Sequence, residues 1–336
     1  MYKDHSIDGA ASAVPHKPSL ARKLNLRVPV VSAPMFLVSG PELVVAACKA
    51  GIVGAFPTPN ARPIDVLDDW MKSITEQLQR ARDEQDPRTI GAWCANVVTH
   101  SSNTRLQDDL KLIAKYKPPV VVTALGSPKP VMETVHGYGG LVIADVISLR
   151  LAEKAAAAGV DGLACICAGA GGHTGHLSPF AFVSAVREIF DGYVIVGGGI
   201  SDGWGMAGAI ACGADLVYMG TRFIPTQESI AEQAYKDMLV AASSEDLLVS
   251  AGITGSNASW LKPSLRANGI DPDNMPDAPE RSYDSNRSLG ARKWKDVWAA
   301  GQGVGAVKAV ERVSDVVDRL EQEWLAARSR FTSYAV

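Results

Sequence analysis

Residues 193–223 read YVIVGGGISDGWGMAGAIACGADLVYMGTRF. Two short apolar runs, Tyr193–Gly197 and Leu216–Met219, flank a small-residue helical stretch at Gly205–Cys212. Runs this short and this uniformly apolar suit strands buried on both faces of a parallel sheet. Glycines close each run, where a strand turns into a helix. The stretch is therefore a βαβ unit, and the same rhythm extends upstream. Further strands are predicted at Val28–Ser32, Ile52–Phe56, Ile90–Val97, Val120–Thr123, Leu141–Val146 and Gly162–Ile166. Helical patterns at Pro41–Ala50, Pro63–Asp83, Leu106–Ala114, Leu149–Ala158 and Phe180–Ile189 lie between them. Eight strands in about 200 residues fit a TIM (β/α)8 barrel better than an open doubly wound sheet, the main alternative.

The flanks break this rhythm. Residues 1–22 are polar and read as a tail or strap. Residues 23–228 make the barrel. From Glu228 onward the pattern is helix-like without further strand runs, so 229–310 is expected to be a helical insertion capping the substrate side. Within it, 266–290 reads as loop, and WKDVWAAGQGVGAV (294–307) returns toward the barrel mouth. Residues 311–336 form a last helix, with Val313, Val316, Val317, Leu320 and Trp324 facing the barrel.

Composition narrows the function. With 33 basic and 36 acidic residues the net charge is −3, which gives no basic excess for nucleic acid. No apolar run approaches the roughly 18 residues of a membrane span. The first residues, MYKDHSIDGAASAVPHKPS, lack the apolar core of a signal peptide. Five scattered cysteines read as core residues in a reducing cytoplasm rather than as a disulfide framework.

Candidate chemistry falls at strand ends, where barrels place their sites. The loops after the last two strands often bind phosphate through backbone N–H groups. Gly198, Gly199, Gly220 and Thr221 are the candidates, with plain tight turns as the alternative. AGAGGHTG (168–175) follows the sixth strand and opens onto His173, whose ring suits acid–base work near neutral pH. His176 is a second polar group three residues on. No metal site is expected, because the two histidines have no further ligand set and the C-x-C at 165–167 lies in an apolar strand. Ala33, Pro34 and Met35 end the first strand and suit a ring-lining turn, although taken alone they read as an ordinary turn over the core. Asn96 interrupts WCANVV and needs a hydrogen-bond partner, whether ligand or loop. Asp145 ends the fifth strand.

Together APM (33–35), AGGHTG (170–175), GGGISDG (197–203), MGTRF (219–223) and AGQGVG (300–305) resemble the nitronate monooxygenase family in content and order. That family comprises FMN-dependent TIM barrels, formerly called 2-nitropropane dioxygenases, and includes enoyl and quinone reductases. The resemblance implies flavin contacts at Ala33, Pro34, Met35, Asn96, Ala170, Gly171 and Gly172, with Asp145 at a strand-five position beside the ring. It implies that Gly198, Gly199, Gly220 and Thr221 hold the FMN phosphate and that His173 is catalytic. Gly301, Gln302 and Gly303 would lie toward the substrate, as would His176. The implied reaction is oxidation of alkyl nitronates by O2 to carbonyl compounds and nitrite. The alternative is an NAD(P)H-dependent reductase acting on an enoyl thioester or quinone. A homodimer is compatible with the strap and the Trp-rich tail. The sequence departs from the family pattern at Gly169, where many relatives carry Glu, at Ile166, which replaces an acidic residue of the enoyl reductases, and at Asp145.

Overall fold

The computed structural model describes residues 19–84, 86, 89–279 and 295–334. Eight parallel strands close into a barrel in sequence order: β1 (Val30–Ser32), β2 (Val53–Pro57), β3 (Trp93–Val98), β4 (Val120–Ala124), β5 (Leu141–Val146), β6 (Gly162–Ile166), β8 (Tyr193–Gly197) and β9 (Leu216–Met219). Closure is direct, with Val31 of β1 opposite both Val53 of β2 and Tyr218 of β9.

Alternation along each strand builds two cores. Inward residues such as Val31, Val53, Cys94, Val122, Ile143, Ile195 and Leu216 fill the barrel. Leu20 and Leu24, from α1 (Leu20–Lys23) and its cap, close the N-terminal end. Outward residues such as Val30, Val97, Val142 and Val196 meet the helices. Those helices are α2 (Pro41–Lys49), α3 (Ile64–Glu84), α4 (Leu106–Tyr116), α5 (Lys129–Gly137), α6 (Leu149–Ala157), α7 (Pro179–Arg187) and α8 (Gly203–Ala211). Ser148, Ser178 and Asp202 start α6, α7 and α8 by accepting backbone N–H bonds with their side chains, while Pro41 and Pro179 occupy first turns.

The cysteines pack as free thiols, four of them buried and Cys212 half-buried. Burial pushes the Cys48 and Cys167 thiols up to about 12, so both are inert at neutral pH. No helix among the described residues is long and apolar enough to cross a membrane.

The insertion is not purely helical. Between α9 (Gln233–Ala241) and α10 (Lys262–Ala267) lie β10 (Leu247–Ser250) and β11 (Ala258–Leu261), an antiparallel ribbon. The ribbon extends through β7 (Gly172–His173), which pairs His173 with Ala258. Four-residue strands carry too little periodicity to announce themselves. Their stability comes from cross-strand pairs such as Leu247–Leu261 and Leu248–Trp260. The expected loop at 266–290 and the start of the returning segment, including Trp294, lie partly outside the described residues.

The last helix, α11 (Val313–Ser333), buries Val313, Val316, Val317 and Leu320. Gly203 lets α8 approach it, because a Cβ there would collide with the Trp324 nitrogen and lie 2.6 Å from the Leu320 carbonyl oxygen.

Candidate active site

Three glycine-bearing segments meet over the C-terminal ends of the strands: 168–172 after β6, 198–203 after β8, and 299–306 from the tail. The Gly169 carbonyl joins them, accepting the Gly199 N–H at 3.0 Å and the Gln302 N–H at 2.9 Å. Their glycines fall into two sorts. A Cβ on Gly171 would lie 2.6 Å from the Gly301 nitrogen, one on Gly301 2.6 Å from the Gly169 oxygen, and one on Gly198 2.7 Å from the Ala168 oxygen. A Cβ on Gly303 would collide with Ser201 Oγ. These glycines are required by protein packing alone. Gly199 and Gly220 are different. A Cβ on Gly199 meets only Gln302 Cβ at 3.8 Å, although the φ of +69° there also favours glycine, and one on Gly220 is met first by the Met35 and Ala33 side chains at 3.5–3.9 Å. Protein leaves space beside Gly199, and an added Cβ at Gly220 would make only ordinary contacts.

The tail packing makes a prediction. Gly301→Ala is expected to cost about 1–3 kcal/mol, because the backbone of residues 169–171 crowds the position. Gly305→Ala, which meets nothing within 4 Å, is the neutral control. Thermal unfolding of the two variants checks the difference.

Ala33, Pro34 and Met35 do leave β1 at the mouth, with the Ala33 N–H bonded to the Met219 carbonyl. Their loop is pinned by Asn60, which sequence reasoning missed. Asn60 Nδ2 donates to the Met35 and Ser39 carbonyls at 3.0 and 2.8 Å, and its Oδ1 accepts the Leu37 N–H at 2.9 Å. Leu37 needs that support, since its φ is +60°. Asn60 itself ends a short turn held from below by Arg105, which donates to the Thr58 carbonyl and pairs with buried Asp109.

The phosphate-side candidates are partly engaged by the protein. The Gly199 N–H is committed to Gly169, and Thr221 Oγ1 accepts the Gly301 N–H at 2.9 Å. Thr221 therefore docks the tail in this structure. Arg222 of the same motif does likewise, binding Glu311 at 2.9 Å. The N-terminus of α8 is occupied by carboxylates: Asp202 accepts the Gly205 N–H and Glu323 the Gly203 N–H.

Inside the mouth, Asn96 Nδ2 donates to the Val122 carbonyl at 3.3 Å. Asp145 Oδ1 and the Tyr218 hydroxyl are both sealed without a hydrogen-bond partner. Burial alone pushes the Asp145 carboxyl up to about 7.

His173 is half-buried on the ribbon. The next residue ties the ribbon to the barrel: Thr174 Oγ1 donates to the Cys167 carbonyl at 3.0 Å and its N–H to the Asn257 carbonyl at 3.1 Å. His176 is exposed on the following turn. A cleft of about 500 Å³ separates Gly169 and Gln302 from Ser244, Glu245, Leu247–Val249 and Ser259. No group of histidine, cysteine and acidic residues among the described residues has the arrangement of a metal site.

The family model described as nitronate monooxygenase matches residues 17–323. The chain belongs to the nitronate monooxygenase family. It is thereby an enzyme, an oxidoreductase of a flavin-dependent family. A nitronate monooxygenase of Paraburkholderia phytofirmans is 28% identical over 91% of this chain and 95% of its own. A (3aS,4S,5R,7aS)-5-hydroxy-7a-methyl-1-oxo-octahydro-1H-indene-4-carboxyl-CoA dehydrogenase of Rhodococcus jostii is 29% identical over 70% of this chain and 63% of its own. Among solved structures, a mutant of FabK from Thermotoga maritima superimposes with a TM-score of 0.72 at 25% identity, over 94% of this chain and 97% of the other.

Within this nitronate monooxygenase family frame, Tyr218 is a second residue the sequence reading passed over. It sits inside an apolar strand, and only its alternation with Leu216 places it on the inner face. Gly169, noted only as a departure, carries the carbonyl on which three segments converge.

Proposed function

We propose that this enzyme is an FMN-dependent nitronate monooxygenase, converting alkyl nitronates and O2 to carbonyl compounds and nitrite. The family match across residues 17–323 carries this reading. The space beside Gly199 and the uncrowded backbone at Gly220 fit a phosphate. The unpartnered Asp145 and Tyr218 atoms fit a polar ligand lying over the mouth. FMN, when bound, supplies the electron-accepting chemistry, and the protein supplies placement and electrostatics.

In this assignment Gly198, Gly199, Gly220 and Thr221 surround the phosphate. Ala33–Met35 and Ala170–Gly172 flank the ring, and Asn96 bonds its polar edge. The ribbon holds His173 at the rim, where its imidazole orients the nitronate anion or takes the α-proton from a neutral nitroalkane. Gly301, Gln302 and Gly303 wall the substrate side and limit water.

One observation favours a second assignment. A cleft of about 500 Å³ exceeds the needs of a small nitronate. With the carboxyl-CoA dehydrogenase relative, it supports an NAD(P)H-dependent flavin reductase acting on a bulky thioester.

Aerobic assays separate the two. Nitrite release and O2 uptake from propyl-2-nitronate without nicotinamide are expected. Thioester-dependent oxidation of NADH or NADPH, with no nitrite from the nitronate, would replace the first assignment with the second.

A further inference from the structure

Asp145 stands where the interior of the barrel meets its mouth. Alternation with Leu141 and Ile143 puts it on the inner face of β5, opposite Ala164 of β6. The residue keeps some surface, yet Oδ1 is sealed and accepts no hydrogen bond. Among the described residues no cation pairs with it, and burial is the cause that dominates its acidity. The titratable groups that feel its charge are Cys94 of β3 and Tyr218 of β9, both made harder to ionise by it. Around them the inner face is Val122, Ile143, Ala164 and Ile195, with Asn96 as the polar neighbour along β3. An unpaired carboxylate in such surroundings is costly, and taking up a proton removes the cost.

We propose that Asp145 rests as a neutral carboxylic acid and donates a hydrogen bond to the redox ligand above the barrel, so that this ligand can carry negative charge. The inference rests on the flavin reading. A neutral acid adds no repulsion to an anion over the mouth, whereas a carboxylate in the same low-dielectric site opposes it. No covalent step is involved: below about pH 7 the proton stays on Asp145, and above it the proton leaves to solvent. The folded state therefore holds a proton that the unfolded chain releases near pH 4. The contribution of Asp145 to stability declines as pH rises from about 4 to about 7 and levels off above.

Two measurements on the full chain test this. The first follows the side-chain carboxyl of Asp145 by carbon-13 NMR in the FMN-free protein, using Asp145→Asn to assign the signal. A midpoint near about 7 is expected. A midpoint near pH 4 overturns the proposal, whether or not FMN binds. The second compares binding of oxidised and dithionite-reduced FMN across pH 6–9. In the wild type the preference for the reduced form should fall by up to tenfold per pH unit above about 7, relative to Asp145→Asn. The asparagine retains a donor and cannot ionise, so its preference lacks this break. Asp145→Ala loses the donor and should bind FMN roughly threefold to tenfold more weakly. Parallel curves for wild type and Asp145→Asn overturn the proposal. A midpoint near 7 with no FMN binding removes the flavin reading, and the acceptor with it.

Discussion

Replacing His173 with alanine is expected to lower kcat/KM by about 10²–10⁴-fold while leaving the fold intact, the usual weight of a positioned acid or base. His173 sits on β7 through backbone pairing with Ala258, which alanine preserves. The neighbouring anchor, Thr174 to the Cys167 carbonyl, is also untouched. Steady-state kinetics with a nitronate and with its parent nitroalkane separate two roles. If His173 removes the α-proton, turnover of the neutral nitroalkane collapses further than that of the nitronate. If it only holds the anion, both fall together. Kinetics within twofold of wild type, with circular dichroism unchanged, would remove His173 from the chemistry.

Gly220→Val is expected to yield folded protein that has lost FMN. Alanine at this position would meet only Met35 and Ala33 at ordinary contact distance. The branched valine instead fills the space assigned to the phosphate. Losing the charge-assisted hydrogen bonds of a phosphate there corresponds to roughly a 10²-fold loss of affinity. Riboflavin, which has no phosphate, should bind wild type and variant alike. Gly198→Ala is the contrast. Its Cβ would lie 2.7 Å from the Ala168 carbonyl oxygen, so it should lower Tm in the FMN-free protein as well. Full FMN occupancy in Gly220→Val would show that the phosphate lies elsewhere.

The barrel was legible because eight runs of β-branched and apolar residues punctuate the chain at regular intervals. α5 was missed: its nine residues, KPVMETVHG, begin beside a proline and end in glycine. The ribbon was missed because its strands depend on partners distant in sequence, Leu247 on Leu261 and Ala258 on His173. The glycine motifs were legible as a cluster but not in function. Close approach to a ligand and close approach to another backbone require the same residue. Only the structure separates Gly199, beside open space, from Gly171 and Gly301, which pack on each other. Asn60 carried no signal beyond a Pro-Asn turn, because its work is to hold the Met35 loop from the turn that follows β2. His176 lies three residues from His173, but its exposed turn sets it apart from the half-buried ribbon.

The central claim is tested most directly by mixing the purified yellow protein anaerobically with propyl-2-nitronate, NADH or NADPH, each alone, and following the visible absorbance. Bleaching by the nitronate without nicotinamide is the predicted result. Rapid bleaching by a nicotinamide with no response to the nitronate would contradict it.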